Sequence, residues 1–445
     1  MEYLSVTVGG FRNLQKTTIR FDEAIVSLVS INNYGKSNLL DAIAFAVRFM
    51  NSTPQMRTRM MGDDSCMPLV ASLDREDFVF QVELHEPSLG AYQYIRYGFS
   101  FSWKRDDNTG ERITDERIEL NDRKGGLWAS YLKREQGLYR PSHKVQRCTR
   151  KINLEATRLA IDVLTSIDGL EISPAIRAIQ NIRYGSCYPL STGNLMNDYP
   201  LELETTDSEV FALSGNDLPQ SLFELKRSFP QKYADFQSIV LGLFPEIEGI
   251  DVVSTQLLPE QRKQLEDQKQ YIEGVTQGES ADSVPYRIRD EVYRIFVTSS
   301  HLNQPVGISR MSDGTKRVIW LVARIVTADV AKVGCLGVEE IETGIHPRMM
   351  RNLLDAVDET VGDTKIILTS HSPYLIQYLS YDSLYIGVPN NQGTASFSTF
   401  KPERFAQLAD AAYDHGMSTG EYIFALMSAG EDEEQLLKSY LKVVK

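Results

Sequence analysis

An apolar run, Ile25–Val29, passes through Ser30-Ile31-Asn32-Asn33-Tyr34-Gly35-Lys36-Ser37 into an apolar helical pattern, Asn38–Phe49. A buried strand that turns directly into a buried helix leaves the N–H groups of the turn and of the first helical turn without backbone acceptors. Those donors and the positive end of the helix dipole favour an anion. Lys36 adds a full positive charge and Ser37 a hydroxyl that can ligate a divalent cation. The candidate phosphate-binding residues are therefore Asn32, Asn33, Tyr34, Gly35, Lys36, Ser37 and Asn38. The first glycine that usually opens such a loop is replaced by Ser30.

Three later segments carry related chemistry. Leu336-Gly337-Val338 is an apolar strand ending in Glu339 and Glu340. Glu339 stands where an acid would help hold Mg2+, and Glu340 where a carboxylate would orient or deprotonate an attacking water. Ser312-Asp313-Gly314 opens the apolar helix Val318–Val326, so its free N–H groups can meet a phosphate, although Ser-x-Gly is also an ordinary helix cap. Lys365–Thr369 is an apolar strand leading to His371, which a backbone group could equally satisfy. Each segment alone has a bland structural explanation. Their order does not, because the last three fall within about sixty residues and all follow the Gly-Lys-Ser loop.

The joint pattern resembles the ABC-type ATPases of the SMC, RecF and OLD group. Phe11-Arg12-Asn13-Leu14 is similar to the family's early turn, residues 32–38 to its Walker A motif, and Met311-Ser312-Asp313-Gly314 to its signature loop. Glu339 to Pro347 resembles the Walker B motif and D-loop of the OLD-like branch, and Thr369-Ser370-His371-Ser372-Pro373 its switch histidine. The resemblance implies ATP and Mg2+ as ligands, with Ser37 and Glu339 at the metal. It implies Glu340 and His371 as catalytic residues, Arg12 near the nucleotide and His346 at a dimer seam. In this family the signature loop reaches the nucleotide held by a second copy, so a homodimer or higher homo-oligomer is expected. No glutamine is assigned to the Q-loop, since Gln81 lies within an alternating strand pattern.

The expected fold is α/β: an ABC-type ATPase head with mixed parallel and antiparallel sheets. Its expected parts are an N-terminal ATPase lobe over 1–105, a mixed, largely helical insertion over 106–300 and a C-terminal ATPase lobe over 301–445. Residues 76–103 alternate as an antiparallel ribbon, and 154–179 and 221–243 read as helical. Gln261–Ala281 reads as an exposed helix and loop, and Tyr286–Phe296 as a strand region.

Composition narrows the role. A net charge of −13 argues against a protein that coats DNA over its whole surface. Residues 133–151 depart from it, with seven Lys or Arg against one acid, interleaved or flanked by Tyr131, Tyr139 and Trp128. That is either a contact for nucleic acid or an acidic protein, or a solvated face. The four cysteines form no CxxC pair, which fits reduced thiols in a cytoplasm. The start carries no signal-peptide pattern, and the apolar run Val318–Val338 holds Arg324, Asp329 and Lys332, so no membrane span is expected. Only 74 residues follow His371, too few for the Toprim nuclease domain that OLD proteins carry. An effector such as a Toprim-type nuclease is thus expected on a separate chain, an arrangement similar to the ATPase subunits of the PARIS and Septu anti-phage systems. A RecF-like DNA-repair clamp and an ATP-dependent scaffold with little turnover remain the alternatives.

Overall fold

The computed structural model describes residues 1–105, 107, 109–187, 201–203, 218–276, 286–288, 290–442 and 444. They divide into two compact units, one drawn from residues 1–188, 332–342 and 361–445, the other from 189–331 and 343–360.

The first unit contains two sheets. The larger is antiparallel throughout, in the order 17–20, 2–9, 78–85, 94–102, 112–121, 129–133, 138–139 and 150–151. Its first long hairpin is the expected ribbon: strand Phe78–His85 alternates buried and half-buried residues, as a sheet with one covered face requires. Phe78, Phe99, Phe101 and Trp103 meet Phe45 and Phe49 of the helix Lys36–Met50, with Phe49 and Phe101 stacked at 4.7 Å. This aromatic layer anchors the helix that follows the Gly-Lys-Ser loop. At its far end the buried Arg57 donates to the carbonyls of Phe49 and Met50 and pairs with Asp162 at 2.5 Å. A cation there satisfies the orphan carbonyls and complements the negative end of the helix.

The second sheet runs 184–187, 335–338, 365–370, 25–29, 384–387, 397–400 and 441–442. Its first five strands are parallel and the last two are added antiparallel. Ile25–Val29, Cys335–Val338 and Lys365–Ser370 are buried at every position, as central strands covered on both faces must be. Because parallel strands end on one edge, the residues after Val29, Val338 and Ser370 emerge together.

Residues 112–187 carry more strand than a largely helical insertion implies, and Tyr184–Cys187 joins the parallel sheet beside Cys335–Val338. The helical pattern over 154–179 resolves into two short helices, Ala160–Leu164 and Ser173–Gln180, separated by a left-handed glycine, Gly169. Its apolar periodicity is real, but glycine and Pro174 divide it.

In the second unit, Leu218–Ser228 and Pro230–Leu243 are separate helices because Pro230 starts the second. Strands Ile247–Gln256, Glu291–Ser299 and Val306–Gly307 form an antiparallel sheet. Pro259–Thr276 is the expected helix, exposed over most of 259–270; residues 277–281 of that reading lie outside the described residues. Asp313–Val330 is a helix buried along most of its length, and Pro347–Thr360 packs with it and with Pro230–Leu243. Among the described residues no helix is long and apolar enough to cross a membrane.

Candidate functional site

The loop after Ile25–Val29 closes on itself through Lys36. Its ammonium donates to the Ser30 carbonyl at 2.9 Å, the Ser30 hydroxyl at 3.1 Å and the Ile31 carbonyl at 3.0 Å. The side chain is 5% exposed, and burial pushes its pKa down to about 8 against the opposing pull of Glu342, Glu340 and Glu339. Ser30 is fully buried beneath it. The serine that replaces the usual first glycine thus supplies two of the lysine's acceptors.

Gly35 has φ +127°, and a Cβ there would lie 2.7 Å from the Ala395 Cβ and 2.9 Å from Asn13 Oδ1. Only glycine fits that turn. Asn33 is also left-handed, at φ 59°. No side chain caps the N-terminus of Lys36–Met50 and its first turn holds no acid, so its N–H groups stay available to an anion. Asn32, Asn33 and Ser37 are exposed there.

Tyr34 is placed differently from its neighbours. Its ring is buried edge-on to Phe397, and its hydroxyl bonds the Val388 and Ser396 carbonyls and the Ser396 N–H. Its side chain therefore anchors the loop to the sheet and leaves only its backbone to the anion site. Asn38 donates to Asn13 Oδ1 at 2.7 Å and accepts from Arg12 at 2.9 Å. Arg12 also pairs with Asp41 at 2.6 Å and donates to the Ser65 carbonyl, with φ 49° at its own backbone. Its side chain is thus oriented by the helix that begins at Lys36.

The acidic turn meets the loop directly. Ser37 hydrogen-bonds the Glu339 carboxylate, whose pKa is raised by burial and partly brought back by that bond. A hydroxyl and a carboxylate in contact at an uncapped helix start form the oxygen donor set that suits Mg2+ beside phosphates. Glu340 lies in the left-handed region at φ 45°, where its backbone N–H donates to Thr369 Oγ1 at 3.0 Å. A non-glycine residue held there stores roughly 1–3 kcal/mol, which surrounding contacts must offset.

His371 completes the group. Its Nδ1 lies 3.2 Å from the Lys36 ammonium, and the ring also hydrogen-bonds the Ser30 backbone. Nε2 in turn faces Glu340 Oε1 at 3.8 Å. Burial first, and the Lys36 charge second, hold the imidazole below its ordinary pKa, so it is neutral at pH 7. The structure thus brings together Lys36, Ser37, Glu339, Glu340 and His371. Sequence reasoning missed Ser30, Asn13, Asp41, Thr369 and Glu342 as their supports. Of these only Ser30 had a local signal, its place at the loop's first position.

Residues 311–314, expected as a signature loop, and 343–347, the end of the expected D-loop, lie in the second unit. Ser312 caps its helix by accepting the Thr315 N–H at 3.2 Å, and Asp313 pairs with Lys316 at 2.7 Å. A Cβ on Gly314 would stand 2.3 Å from the Gly344 carbonyl oxygen, so glycine lets the helix start touch the D-loop backbone. Exposed His346 accepts the Arg348 N–H and opens the helix Pro347–Thr360. Ser312 and Asp313 are exposed as well.

The basic stretch is less free than its sequence implied. Arg134 is ion-paired with buried Glu116, Arg140 stacks on buried Tyr131 at 4.5 Å, and Arg96 covers Trp128 at 4.2 Å. Tyr139 is buried too. Lys133, Lys144, Arg147, Arg150 and Lys151 remain exposed.

The family described as "AAA domain, putative AbiEii toxin, Type IV TA system" matches residues 206–377. That stretch includes Ser312, Glu339, Glu340 and His371; Lys36 and its loop lie outside it. No curated protein matches the chain. Among solved structures, the SmcHead bound to the C-winged helix domain of ScpA is similar over 92% of this chain and 100% of that one, at 12% identity and a TM-score of 0.50. The SMC head domain from Thermotoga maritima matches over 90% and 100% at 12% identity and 0.41. The recombination mediator protein RecF matches over 89% and 97% at 11% identity and 0.39. Residues 206–377 are thus similar to that AAA domain family, and the mixed α/β fold resembles that of the SmcHead.

Proposed function

We propose that this chain binds ATP with Mg2+ and hydrolyses it at a site completed by a second copy, and that the cycle controls a separate effector in anti-phage defence. The observation that carries the reading is the junction of Lys36, Ser37 and Glu339 at an uncapped helix start. The N–H groups of residues 35–38 and the Lys36 ammonium bind the phosphates, while Ser37 and Glu339 hold the Mg2+, which supplies charge neutralisation at the phosphate oxygens. Glu340 accepts a proton from the attacking water, and neutral His371 hydrogen-bonds the terminal phosphate. Arg12, through Asn38 and Asp41, steadies the helix start. Exposed Ser312 and Asp313, with Gly314, form the surface that meets the nucleotide of the partner copy, and His346 sits at that seam. The expected assembly is a homodimer or a higher homo-oligomer.

Two features support the defence role. The matched family is described by a toxin of a type IV system, and the SmcHead of similar fold is bound to a domain of a different protein. A Toprim-type nuclease on another chain is the effector we favour, in a cytoplasmic setting. The five exposed cations of 133–151 favour a second reading, a RecF-like clamp on nucleic acid, for which duplex affinity should require ATP and fall steeply with salt.

The test is ATP binding and turnover by purified protein. Lys36→Ala should abolish binding. Glu340→Gln should bind as the wild type does and turn over at least about a hundredfold more slowly, accumulating ATP-bound oligomers. Normal hydrolysis by Glu340→Gln would refute the assignment of the base.

A further inference from the structure

We propose that Glu342 is a positioning residue: with Thr369 it staples the turn carrying Glu340 to the strand end carrying His371, and so fixes the separation of those two side chains. This rests on the ATPase reading above.

The ladder between Cys335–Val338 and Lys365–Ser370 ends at the pair Val338–Leu368. Beyond it, no backbone pairing joins residues 339–342 to residues 369–371, although both segments carry site residues. Side chains continue the connection. The Thr369 hydroxyl accepts the Glu340 N–H at 3.0 Å. Two residues on, Glu342 Oε1 accepts the His371 backbone N–H at 2.6 Å and the Ser370 hydroxyl at 3.0 Å. The Ser370 hydroxyl in turn accepts the Ser372 N–H at 2.9 Å, so the carboxylate orders the residues on both sides of His371.

Two points of attachment fix rotation as well as position, which one could not. Rotation matters because Glu340 is held left-handed at φ 45°, a conformation that relaxes unless its neighbours prevent it. Glu342 is also an expensive choice for a mere prop. Its Oε2 is buried with no hydrogen-bond partner among the described residues, and a buried acceptor left unsatisfied is destabilising. An apolar residue would avoid that cost but could make neither bond. A carboxylate, however, makes shorter and stronger bonds to N–H and O–H donors than a neutral acceptor does. Glu342 thus combines stiffness at the strand end that presents His371 with a charge that favours the Lys36 ammonium.

The experiment compares kcat with the Kd for ATP in four full-length variants. Glu342→Gln keeps the shape and one acceptor oxygen but loses the charge; we expect kcat to fall about tenfold with Kd within about twofold of wild type. Thr369→Val, which removes the other attachment at constant shape, should behave likewise. Thr369→Ser, which restores the hydroxyl, should recover wild-type kcat. The Glu342→Gln/Thr369→Val pair should fall no more than about twofold below the slower single variant, since both losses act on one geometry. A kcat for Glu342→Gln within twofold of wild type overturns the proposal. So does a loss that appears equally in Kd, which marks a general structural role. A wild-type protein that binds no ATP overturns instead the reading on which the proposal rests.

Discussion

Raising the pH should weaken nucleotide binding through Lys36, by an amount the structure sets. The ammonium is buried against two carbonyls, a hydroxyl and the His371 ring, and its pKa falls to about 8. Phosphates brought to the same ammonium favour its charged form, so binding must take up whatever proton the free protein has lost. If the bound lysine returns to its ordinary value near 10.5, uptake is about 0.1 proton at pH 7 and about 0.8 at pH 8.5. Affinity then falls by about 30-fold between pH 7 and pH 9.5. The sign for the free protein is opposite. Between about 8 and 10.5 the unfolded chain holds a proton that the fold has released, so this residue adds stability as pH rises through that window. Titration calorimetry in buffers of different ionisation enthalpy, with the Glu340→Gln variant to prevent turnover, reads the uptake directly. His371 is neutral well below pH 8.5 and contributes nothing there. Uptake below about 0.2 proton at pH 8.5 would refute the buried-ammonium account.

Two further outcomes follow from single residues. Ser312→Arg removes a helix cap, at about 1 kcal/mol, and places a bulky cation on an exposed surface. Equilibrium binding should show ATP affinity kept while turnover is lost; turnover at the wild-type rate would remove the case for a shared site. Tyr34→Phe deletes a hydroxyl that serves two carbonyls and an N–H, and should destabilise the protein by about 1–3 kcal/mol in denaturant. Nucleotide affinity should hardly change, because the phenol lies in the core rather than at the helix start. A loss of affinity without a loss of stability would return Tyr34 to the binding surface.

The residues that could be read from the sequence were those whose roles are local. Ile25–Val29 and the Gly-Lys-Ser turn announce a strand running into a helix within a dozen positions, and both elements are where that pattern implies. Glu339 and His371 follow from apolar strands with a polar end. Partners distant along the chain left no such trace. The contact of Lys36 with His371 spans 335 positions, and nothing near Glu342 marks it as the acceptor for the His371 N–H. Tyr34 shares its loop's sequence pattern, whereas its anchors, Val388 and Ser396, are more than 350 positions away. Charge composition leaves 133–151 open between two readings for a related reason. Counting cations does not distinguish Lys144, which is exposed, from Arg134, which Glu116 has taken up. The strand Tyr184–Cys187 is too short to show a period.

What turns these fragments into one site is register. Val29 pairs with Ser370, so Ser30 and His371 leave adjacent strands at one level; Val338 pairs with Leu368, so Glu339 leaves the next strand level with Thr369, two residues short of His371. Adjacent strands lie about 4.8 Å apart, which puts the acidic turn within about 10 Å of the loop before any side chain is considered. Side chains alternate along a strand, so a slip of one residue between 335–338 and 365–370 would exchange the directions of Glu339 and Glu340. The carboxylate now bonded to Ser37 would then turn away, and the strained backbone at Glu340 would lose its Thr369 acceptor. Full burial of both strands forbids that slip, because it would carry Lys365 and Ser370 to new levels inside the core. The apolar character of these strands is therefore part of the chemistry: it fixes which acid meets the metal-binding hydroxyl and which one faces the histidine.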